Sequence, residues 1–303
     1  MEEKILFGRG PASVRGLLRG TKKGSVKLVT SAGIYIELEG DIVLLCRKQW
    51  GIVPIGICLD NYSELLKWRP APGQPVSVQN GTITLPAGSI RLNLTATAGA
   101  EKGGRIQAAA LDNLVRALIS EEKHTGLAPI ALRFLSDRKT QKMPNVYCDI
   151  AIPGLTVLAN GVAAGNGQQI TQGLDILLGL GPGLTPSGDD VVCGILYVLL
   201  RSDASRKAGI RMLADLVQRD APVKTNTISA AYLTAIAKGE DYERMQDVWL
   251  EMTGSGISRV NRLLEVGSCS GGDMLLGMLV AGKLLALMEE MEYGRPYSAG
   301  SLG

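Results

Sequence analysis

One segment rich in glycine and proline constrains the fold more than any other. It reads GLGPGLTPSGDD from Gly179 to Asp190, and the next ten residues, VVCGILYVLL, carry no charge. Glycine permits positive φ and close backbone approach, whereas proline disrupts a helix interior. The segment therefore predicts an irregular loop that leads into a buried helix. Ser187 or Asp189 is expected to cap that helix by accepting hydrogen bonds from its first N–H groups.

A second segment, GSCSGGD from Gly267 to Asp273, repeats the pattern before another apolar run. Four residues of the first segment align with four of the second at one offset of 83 residues (270 − 187): Ser187, Gly188, Asp190 and Gly194 with Ser270, Gly271, Asp273 and Gly277. These two pseudo-repeated, Gly-rich loop-helix starts predict a pseudo-symmetric pair of buried helices whose glycines permit close approach. If the two N-termini converge, they form one pocket with backbone donors, hydroxyls and carboxylates.

Composition narrows the class of protein. The 303 residues are 46% apolar and 20% charged, and the net charge is +3. Scattered basic residues and only 4% aromatics argue against nucleic acid or a membrane as partner. Five cysteines without a C-x-x-C spacing fit a reducing, cytoplasmic location. No signal peptide is evident, and no uninterrupted apolar run reaches about 18 residues, so we expect no membrane span.

The first 98 residues favour β structure. Short apolar or β-branched runs separated by turns predict six or seven strands, with Glu39-Gly40 and Asn80-Gly81 as hairpin turns. The predicted strands are Val26–Thr30, Gly33–Leu38, Asp41–Cys46, Val53–Ile57, Val76–Val78, Thr82–Leu85 and Ile90–Leu94. Asn61–Trp68 is predicted as a short helix. This pattern indicates a small barrel or sandwich over residues 1–98.

Residues 99–303 favour a mainly helical domain that carries both motifs, which gives an α+β protein. The apolar spacing predicts helices around Ile106–Leu118, Gln168–Leu178, Val191–Leu200, Ala208–Gln218, the segment from Thr225, Met245–Met252, Ile257–Leu264 and Ser270–Met291. Val146–Ala164 is ambiguous, because Pro153-Gly154 interrupts it. It is predicted to form either a strand pair or a strand followed by a helix.

Three carboxylates are the candidate catalytic residues: Asp189, Asp190 and Asp273. Neighbouring carboxylates can bind Mg²⁺, or one of them can be held with a raised pKa as a base. No firm metal-ligand set or cofactor is evident, although Asp189 and Asp190 could hold Mg²⁺. The alternative is that Asp189 is an N-cap and Asp190 a first-turn residue favoured by the helix dipole.

The glycine loop is a candidate for binding a small anionic substrate. Backbone N–H groups at a helix N-terminus favour anions. The candidate anion-binding residues are Gly181, Gly183, Thr185, Ser187, Gly188, Asn226, Ser270 and Gly271. The alternative is a plain tight connection between helices. The segment is neither a P-loop nor a dinucleotide-binding fingerprint, because it lacks Gly-Lys-Ser/Thr and the required glycine spacing.

Other polar residues are weaker candidates. Thr225, Asn226, Thr227 and Ser229 cluster at a third helix start, where they either add donors to the pocket or cap the helix. Lys224 and Arg259 either neutralise an anion or are solvated surface charges. His124, the single histidine, is far from both motifs in sequence, so a Ser-His-Asp triad is not expected.

Cys269 lies in the second loop, at a helix N-terminus. A thiol in that position is expected to have a lowered pKa, which would favour reactivity as a nucleophile. A packed small residue is the simpler interpretation. Cys193 falls within the first apolar helix and is expected in the core.

The string LLGLGPGLTPSGDDVVCGIL resembles the bacterial family of the AllH subunit of oxamate carbamoyltransferase, which was long labelled a domain of unknown function. The second motif is similar at Ser270, Gly271 and Asp273. It differs at Ser268, Cys269 and Gly272, where the family has His-Thr or His-Ser and Trp. The resemblance covers about residues 150–290.

This resemblance implies transfer of a carbamoyl group between phosphate and oxamate in allantoin degradation, with further protein subunits as partners. Both substrates are small anions, which fits two glycine-rich helix N-termini. Two alternatives stay open. In the first, the chain is a non-catalytic assembly subunit, because neither motif contains Lys, Arg or His. In the second, it is a stand-alone Mg²⁺-dependent hydrolase.

Overall fold

A computed structural model describes residues 3–96, 103–120, 126–132, 143–256 and 258–293 of the chain. The chain divides into two compact units. The first comprises residues 1–100 with 240–243, and the second comprises residues 101–239 with 244–303. The predicted domain boundary at residue 98 falls among residues 97–102, outside the described part, and stays a prediction. His124 and the tail beyond residue 293 also lie outside it.

The first unit is a closed eight-stranded barrel with strand order β1-β5-β4-β3-β2-β6-β7-β8. Its strands are β1 Glu3–Gly10, β2 Thr21–Val29, β3 Gly33–Leu38, β4 Asp41–Arg47, β5 Gly56–Leu59, β6 Pro75–Gln79, β7 Thr82–Leu85 and β8 Gly88–Ala96. Pairs β1–β8 and β4–β5 are parallel, and the other pairs are antiparallel. Closure leaves no strand edge exposed, which settles the choice between barrel and sandwich.

Apolar side chains fill the barrel, with alternating burial in β6 and β7 and nearly continuous burial in β3, β4 and β5. Ile36, Leu45, Ile57, Val78 and Ile83 point inward and are among its most buried side chains. Two short helices accompany the strands, α1 Ala12–Leu17 and α2 Tyr62–Leu66.

Two hairpin turns of the barrel use left-handed backbone. Asn80 and Gly81 have φ angles of 48° and 83°, and Glu39 and Gly40 have φ angles of 53° and 95°. Two consecutive positive φ angles match the right-handed twist of a strand pair. The structure thus places turns at both predicted dipeptides.

The second unit is mostly helical. Its helices are α3 Ala108–Ser120, α4 Val146–Ala164, α5 Gly167–Leu177, α6 Ser187–Arg201, α7 Ala208–Lys224, α8 Thr227–Ala237, α9 from Glu243 to Met252, α10 Val260–Leu264 and α11 Ser270–Tyr293. Helix α6 is buried on nearly every side. It packs along α11, and these two apolar helices form the centre of the unit.

The prediction for Val146–Ala164 was wrong. The segment is one helix, α4, with Pro153 inside it. Its start is capped by Asn145, whose Oδ1 accepts from the Cys148 N–H at 3.1 Å. Close packing against α5 offsets the cost of the proline, because Gly154 leaves room for Ile176: a Cβ there would lie 2.8 Å from its Cγ2.

Two helices are long and apolar enough to cross a membrane by length and composition: Val146–Ala164 and Ser270–Glu292. Of their most apolar windows, 44% and 83% are buried. The second helix is therefore a core helix of its unit. The cytoplasmic location stays a prediction.

Candidate functional site

The two motifs meet at the start of α6 and α11. The hydroxyl oxygens of Thr185 and Ser270 lie 3.1 Å apart. About two helical turns further along, Gly194 faces Gly277, and a Cβ on either residue would lie 3.0 Å from the Cα of the other. The absence of two side chains lets the helix backbones touch. The loops that precede the helices are thereby brought together.

The first loop folds back on the start of its own helix. Gly181 and Gly183 both have φ angles of 108°, a conformation that L side chains rarely adopt. The Gly188 N–H donates to the Leu180 carbonyl at 2.9 Å. A Cβ on Gly188 would lie 2.0 Å from the Leu177 carbonyl oxygen, so only glycine permits this approach.

The predicted cap was wrong. The N-cap of α6 is Pro186, which makes no side-chain cap hydrogen bond, and both Ser187 and Asp189 lie inside the helix. Their side chains are consequently available for contacts outside α6.

Asp189 binds three donors from other segments. Its Oδ1 accepts from the Gly179 N–H at 2.8 Å, and its Oδ2 accepts from the hydroxyls of Thr225 and Ser229 at 2.5 and 2.6 Å. Burial raises the pKa of Asp189, and the three donors oppose that rise. With both oxygens occupied, Asp189 joins the glycine loop to the start of α8.

Asp190 is 1% exposed and lies beneath the paired loops. The hydroxyls of Ser270 and Thr185 donate to its carboxylate. Burial raises the pKa of Asp190 well above its usual value, and the charge of Asp273 raises it further. Its Oδ2 is buried and has no hydrogen-bond partner among the described residues.

Asp273 is completely buried. Its Oδ1 accepts from the N–H groups of Leu127 at 2.6 Å and Ala128 at 3.1 Å. Ser187 and Cys269 also donate to this carboxylate. Burial raises its pKa to about 6, although these hydrogen bonds favour the charged form. Oδ2 of Asp273, like that of Asp190, lacks a partner within the described ranges.

The serine and aspartate contacts cross between the helices. Ser270 of α11 donates to Asp190 of α6, and Ser187 of α6 donates to Asp273 of α11. Each helix therefore supplies the hydroxyl that orients the carboxyl group of the other.

Sequence reasoning missed Gly126, Leu127 and Ala128. A Cβ on Gly126, whose φ is 75°, would lie 2.5 Å from Oδ2 of Asp273. The Asn145 Nδ2 donates to the Gly126 carbonyl at 2.8 Å and holds this segment in place. The sequence pattern did not indicate this segment, because the positive φ of Gly126 is visible only in the structure.

The remaining candidates have structural contacts. Asn226 caps α8 through the N–H groups of Ile228 and Ser229, and its Nδ2 donates to the Leu184 carbonyl at 2.9 Å. Lys224 pairs with Asp175 and Asp220 at 2.5 and 2.9 Å. Of these contacts, only the hydrogen bond from Asn226 to Leu184 reaches the glycine loop.

Arg259 forms an ion pair with Asp247, with 3.6 Å between its Nη1 and Oδ1 of the carboxylate. Cys193 is buried in α6, as predicted. The expected lowering of the Cys269 pKa was wrong: burial raises it, and the negative charge of Asp273 adds to the rise. Cys269 also contacts the Ser187 hydroxyl at 3.8 Å.

Metal binding has little support in the described geometry. Within the described ranges, no group of three or more His, Cys, Asp or Glu side chains is arranged to hold a metal ion. Both carboxylate oxygens of Asp189 already accept hydrogen bonds. The hydroxyls of Ser270 and Thr185 donate to the Asp190 carboxylate, which a bound cation would otherwise contact.

The site combines two chemical elements. Burial raises the pKa of both carboxyl groups, that of Asp273 to about 6, and carboxyl groups with raised pKa values can take part in proton transfer. Above them lie the half-buried hydroxyls of Thr185 and Ser270 and the glycine loop from Gly181 to Gly183. The arrangement suits a small polar ligand that exchanges protons.

The described residues thus form a closed barrel followed by a mostly helical unit. Residues 177–282 match the model of the family described as oxamate carbamoyltransferase subunit AllH. The match contains both motifs and confirms the family resemblance over this segment. No curated protein and no solved structure matches the chain.

Proposed function

We propose that this chain is a catalytic subunit of an oxamate carbamoyltransferase, with carbamoyl phosphate and oxamate or oxalurate as its small anionic substrates. One observation carries the proposal: inside the family-matched segment, two Ser-Gly-x-Asp helix starts lie against each other over two buried carboxyl groups. The two starts form a pseudo-symmetric pair, as their constant sequence offset indicates.

The glycine loop is the proposed anion site. Gly181 lies against the start of α6, because a Cβ on it would lie 3.1 Å from the Ser187 nitrogen, and the helix dipole favours negative charge there. A Cβ on Gly183 would meet nothing closer than 3.9 Å, so the space beside this residue is open. We expect phosphate or the substrate carboxylate to bind here through backbone N–H groups, without a cationic side chain.

The carboxyl groups are the proposed proton acceptors and donors. A carbamoyl transfer to oxamate removes a proton from the attacking amide nitrogen, and a neighbouring carboxylate accelerates such a step. Asp273, with a pKa of about 6, is ionised at neutral pH and can accept that proton.

An assembly subunit is the second candidate. Three apolar side chains at the start of α4 are exposed: Val146 at 63%, Tyr147 at 36% and Ile150 at 42%. The family name describes a subunit, and an exposed apolar surface suits a contact between subunits. No described contact favours a stand-alone Mg²⁺-dependent hydrolase.

Ligand binding and transfer together test the proposal. The isolated chain is melted with carbamoyl phosphate, phosphate, oxamate and oxalurate; a ligand at 100 times its dissociation constant adds about 2.7 kcal/mol to the free energy of unfolding. The chain is then assembled with its partner subunits, and oxalurate formation is measured.

Thr185→Val tests the place of the site, because it removes a hydroxyl between the two loops. We expect it to weaken ligand stabilisation and transfer, whereas Thr156→Val, at an exposed threonine of α4, should change neither. Normal transfer by an assembly that carries Thr185→Val and Ser270→Ala together would favour the assembly role.

A further inference from the structure

Two buried oxygens in the site have no hydrogen-bond donor. They are Oδ2 of Asp190 and Oδ2 of Asp273, and neither has a partner among the residues that the structure describes. The side chains are 1% and 0% exposed. A buried carboxylate without a donor is strongly disfavoured, and a neighbour of the same charge increases the cost.

Within the ranges that the structure describes, no positively charged side chain is among the groups that shift the pKa values of these carboxyl groups. The groups that shift their pKa values are the hydroxyls of Thr185, Ser187 and Ser270, the thiol of Cys269, two backbone N–H groups and the carboxylate of Asp189. Cys193, on the same helix as Asp190, is a neutral thiol whose pKa is raised by burial. Hydroxyl and N–H donors partly stabilise one negative charge but not two.

A single proton reduces both problems. It halves the buried charge and converts one undonated oxygen into a hydrogen-bond donor. We propose that Asp190 and Asp273 hold one proton between them at neutral pH and exchange it with the reactants of carbamoyl transfer, a role that rests on the proposed function. Asp190 is the protonated partner, because only hydroxyls donate to it, whereas Asp273 also accepts two backbone N–H groups.

The proton balance of the reaction fits this pair. The amide nitrogen of oxamate forms a bond to the carbamoyl carbon while the bond from that carbon to the phosphate oxygen breaks. The nitrogen gives one proton to the ionised carboxylate of Asp273, and the leaving phosphate oxygen takes one proton from Asp190. The pair therefore holds one proton before and after transfer, and the reverse reaction uses the opposite exchange.

Hydroxyl groups connect the buried pair with the open side of the site. Thr185 and Ser270 are half-buried, lie 3.1 Å from each other and donate to Asp190. On the side of Asp273, the buried Ser187 hydroxyl contacts the half-buried Cys269 thiol, and both groups donate to this carboxylate. A proton can pass along these side chains without exposing either carboxyl group.

Infrared spectroscopy of the full chain at pH 7 measures the proton directly, through the C=O stretch of a protonated carboxyl group. We expect one such band in the wild type. Asp190→Asn should remove the band and Asp273→Asn should retain it. Asp215→Asn, at an exposed aspartate of α7, is the matched control and should leave it unchanged.

Absence of the band from the wild type, or its persistence in Asp190→Asn, would overturn the inference. If Asp190→Asn does not fold, Ser270→Ala replaces it: loss of a donor to Asp190 must shift the band, and an unmoved band rejects the assignment.

Activity of the assembled complex separates this inference from the proposed function. We expect Asp190→Asn to lower the transfer rate by about 10²- to 10⁴-fold and to alter its pH profile, as removal of acid–base catalysis does. Normal transfer by this variant would refute the proton-exchange role alone. A wild-type complex without transfer, but with the infrared band, would refute the proposed function and leave the shared proton in place.

Discussion

Gly194 and Gly277 lie opposite each other where α6 and α11 touch. A Cβ on Gly194 would lie 2.1 Å from the Met274 carbonyl oxygen, and a Cβ on Gly277 would lie 2.1 Å from that of Val191. The contact is between backbones, so no rotamer change can relieve an added methyl group. This pair of glycines fixes the separation of the two helices and hence that of their carboxyl groups.

We therefore expect Gly194→Ala or Gly277→Ala to lower the free energy of unfolding by about 3 kcal/mol or more, because the helices must move apart. Urea denaturation of the purified variants measures the change. Gly272→Ala on the same helix is the control: its Cβ would meet the nearest atom, Ala128 Cβ, at 3.3 Å. Equal stability of all three variants would contradict the close contact.

Asp189 is predicted to stabilise the fold rather than take part in proton transfer. Asp189→Asn replaces one of two acceptor oxygens with an N–H₂ group, which leaves at least one of its three donors unpaired. The expected loss of stability is about 1–3 kcal/mol. Thermal and urea unfolding measure it, with Asp215→Asn as the exposed control. A substitution without effect on stability would show that the three hydrogen bonds contribute little.

Stability should fall as the pH rises through the titration of Asp273. Its pKa is about 6 in the folded protein and near 4 when unfolded, so the folded state binds more protons between these values. The contribution is present below about pH 4 and is lost as pH rises to about 6, a change of about 3 kcal/mol at most.

Asp273→Asn should remove this pH dependence, which is measured as the free energy of unfolding at a series of pH values. Asp190, with its pKa raised well above the usual value, should extend the decline to higher pH in the wild type. The contribution of Asp273 is the difference in the free energy of unfolding between the wild type and Asp273→Asn. If that contribution increased from pH 4 to 6, it would contradict a pKa that burial raises.

Cys269 should react slowly despite its position at a helix start. Burial and the charge of Asp273 raise its pKa, so little thiolate is present at pH 7. It should still be the first of the five cysteines to be alkylated, because the other four are buried. Mass spectrometry after timed iodoacetamide treatment measures both the alkylation rate of Cys269 and the order in which the five cysteines react. Faster alkylation than that of a free thiol would indicate an activated nucleophile.

Much of the fold followed from local pattern. Hairpin turns such as Asn80-Gly81 and the apolar runs after each motif indicated the barrel and the core helices. Strand β1 was missed because its pairing with β8 is parallel and distant in sequence, and because Ile5 and Phe7 are apolar yet exposed. Helix α4 was missed because tertiary packing outweighs its internal proline.

The candidate site could be predicted only in part. Sequence spacing identified the two motifs, but it treated Asp189 and Asp190 alike. Their different surroundings depend on Thr225 and Ser229, which are 36 and 40 residues beyond Asp189. The backbone donors to Asp273 come from a segment 146 residues earlier, where no side-chain pattern reveals them.

The most direct measurement of the central claim is oxalurate formation from carbamoyl phosphate and oxamate by the chain assembled with its partner subunits. We expect turnover with the wild type and with Asp215→Asn. With Asp273→Asn we expect turnover to fall by about 10²- to 10⁴-fold, at unchanged assembly. Unchanged turnover with Asp273→Asn would contradict the claim that the paired helix starts form the site of carbamoyl transfer.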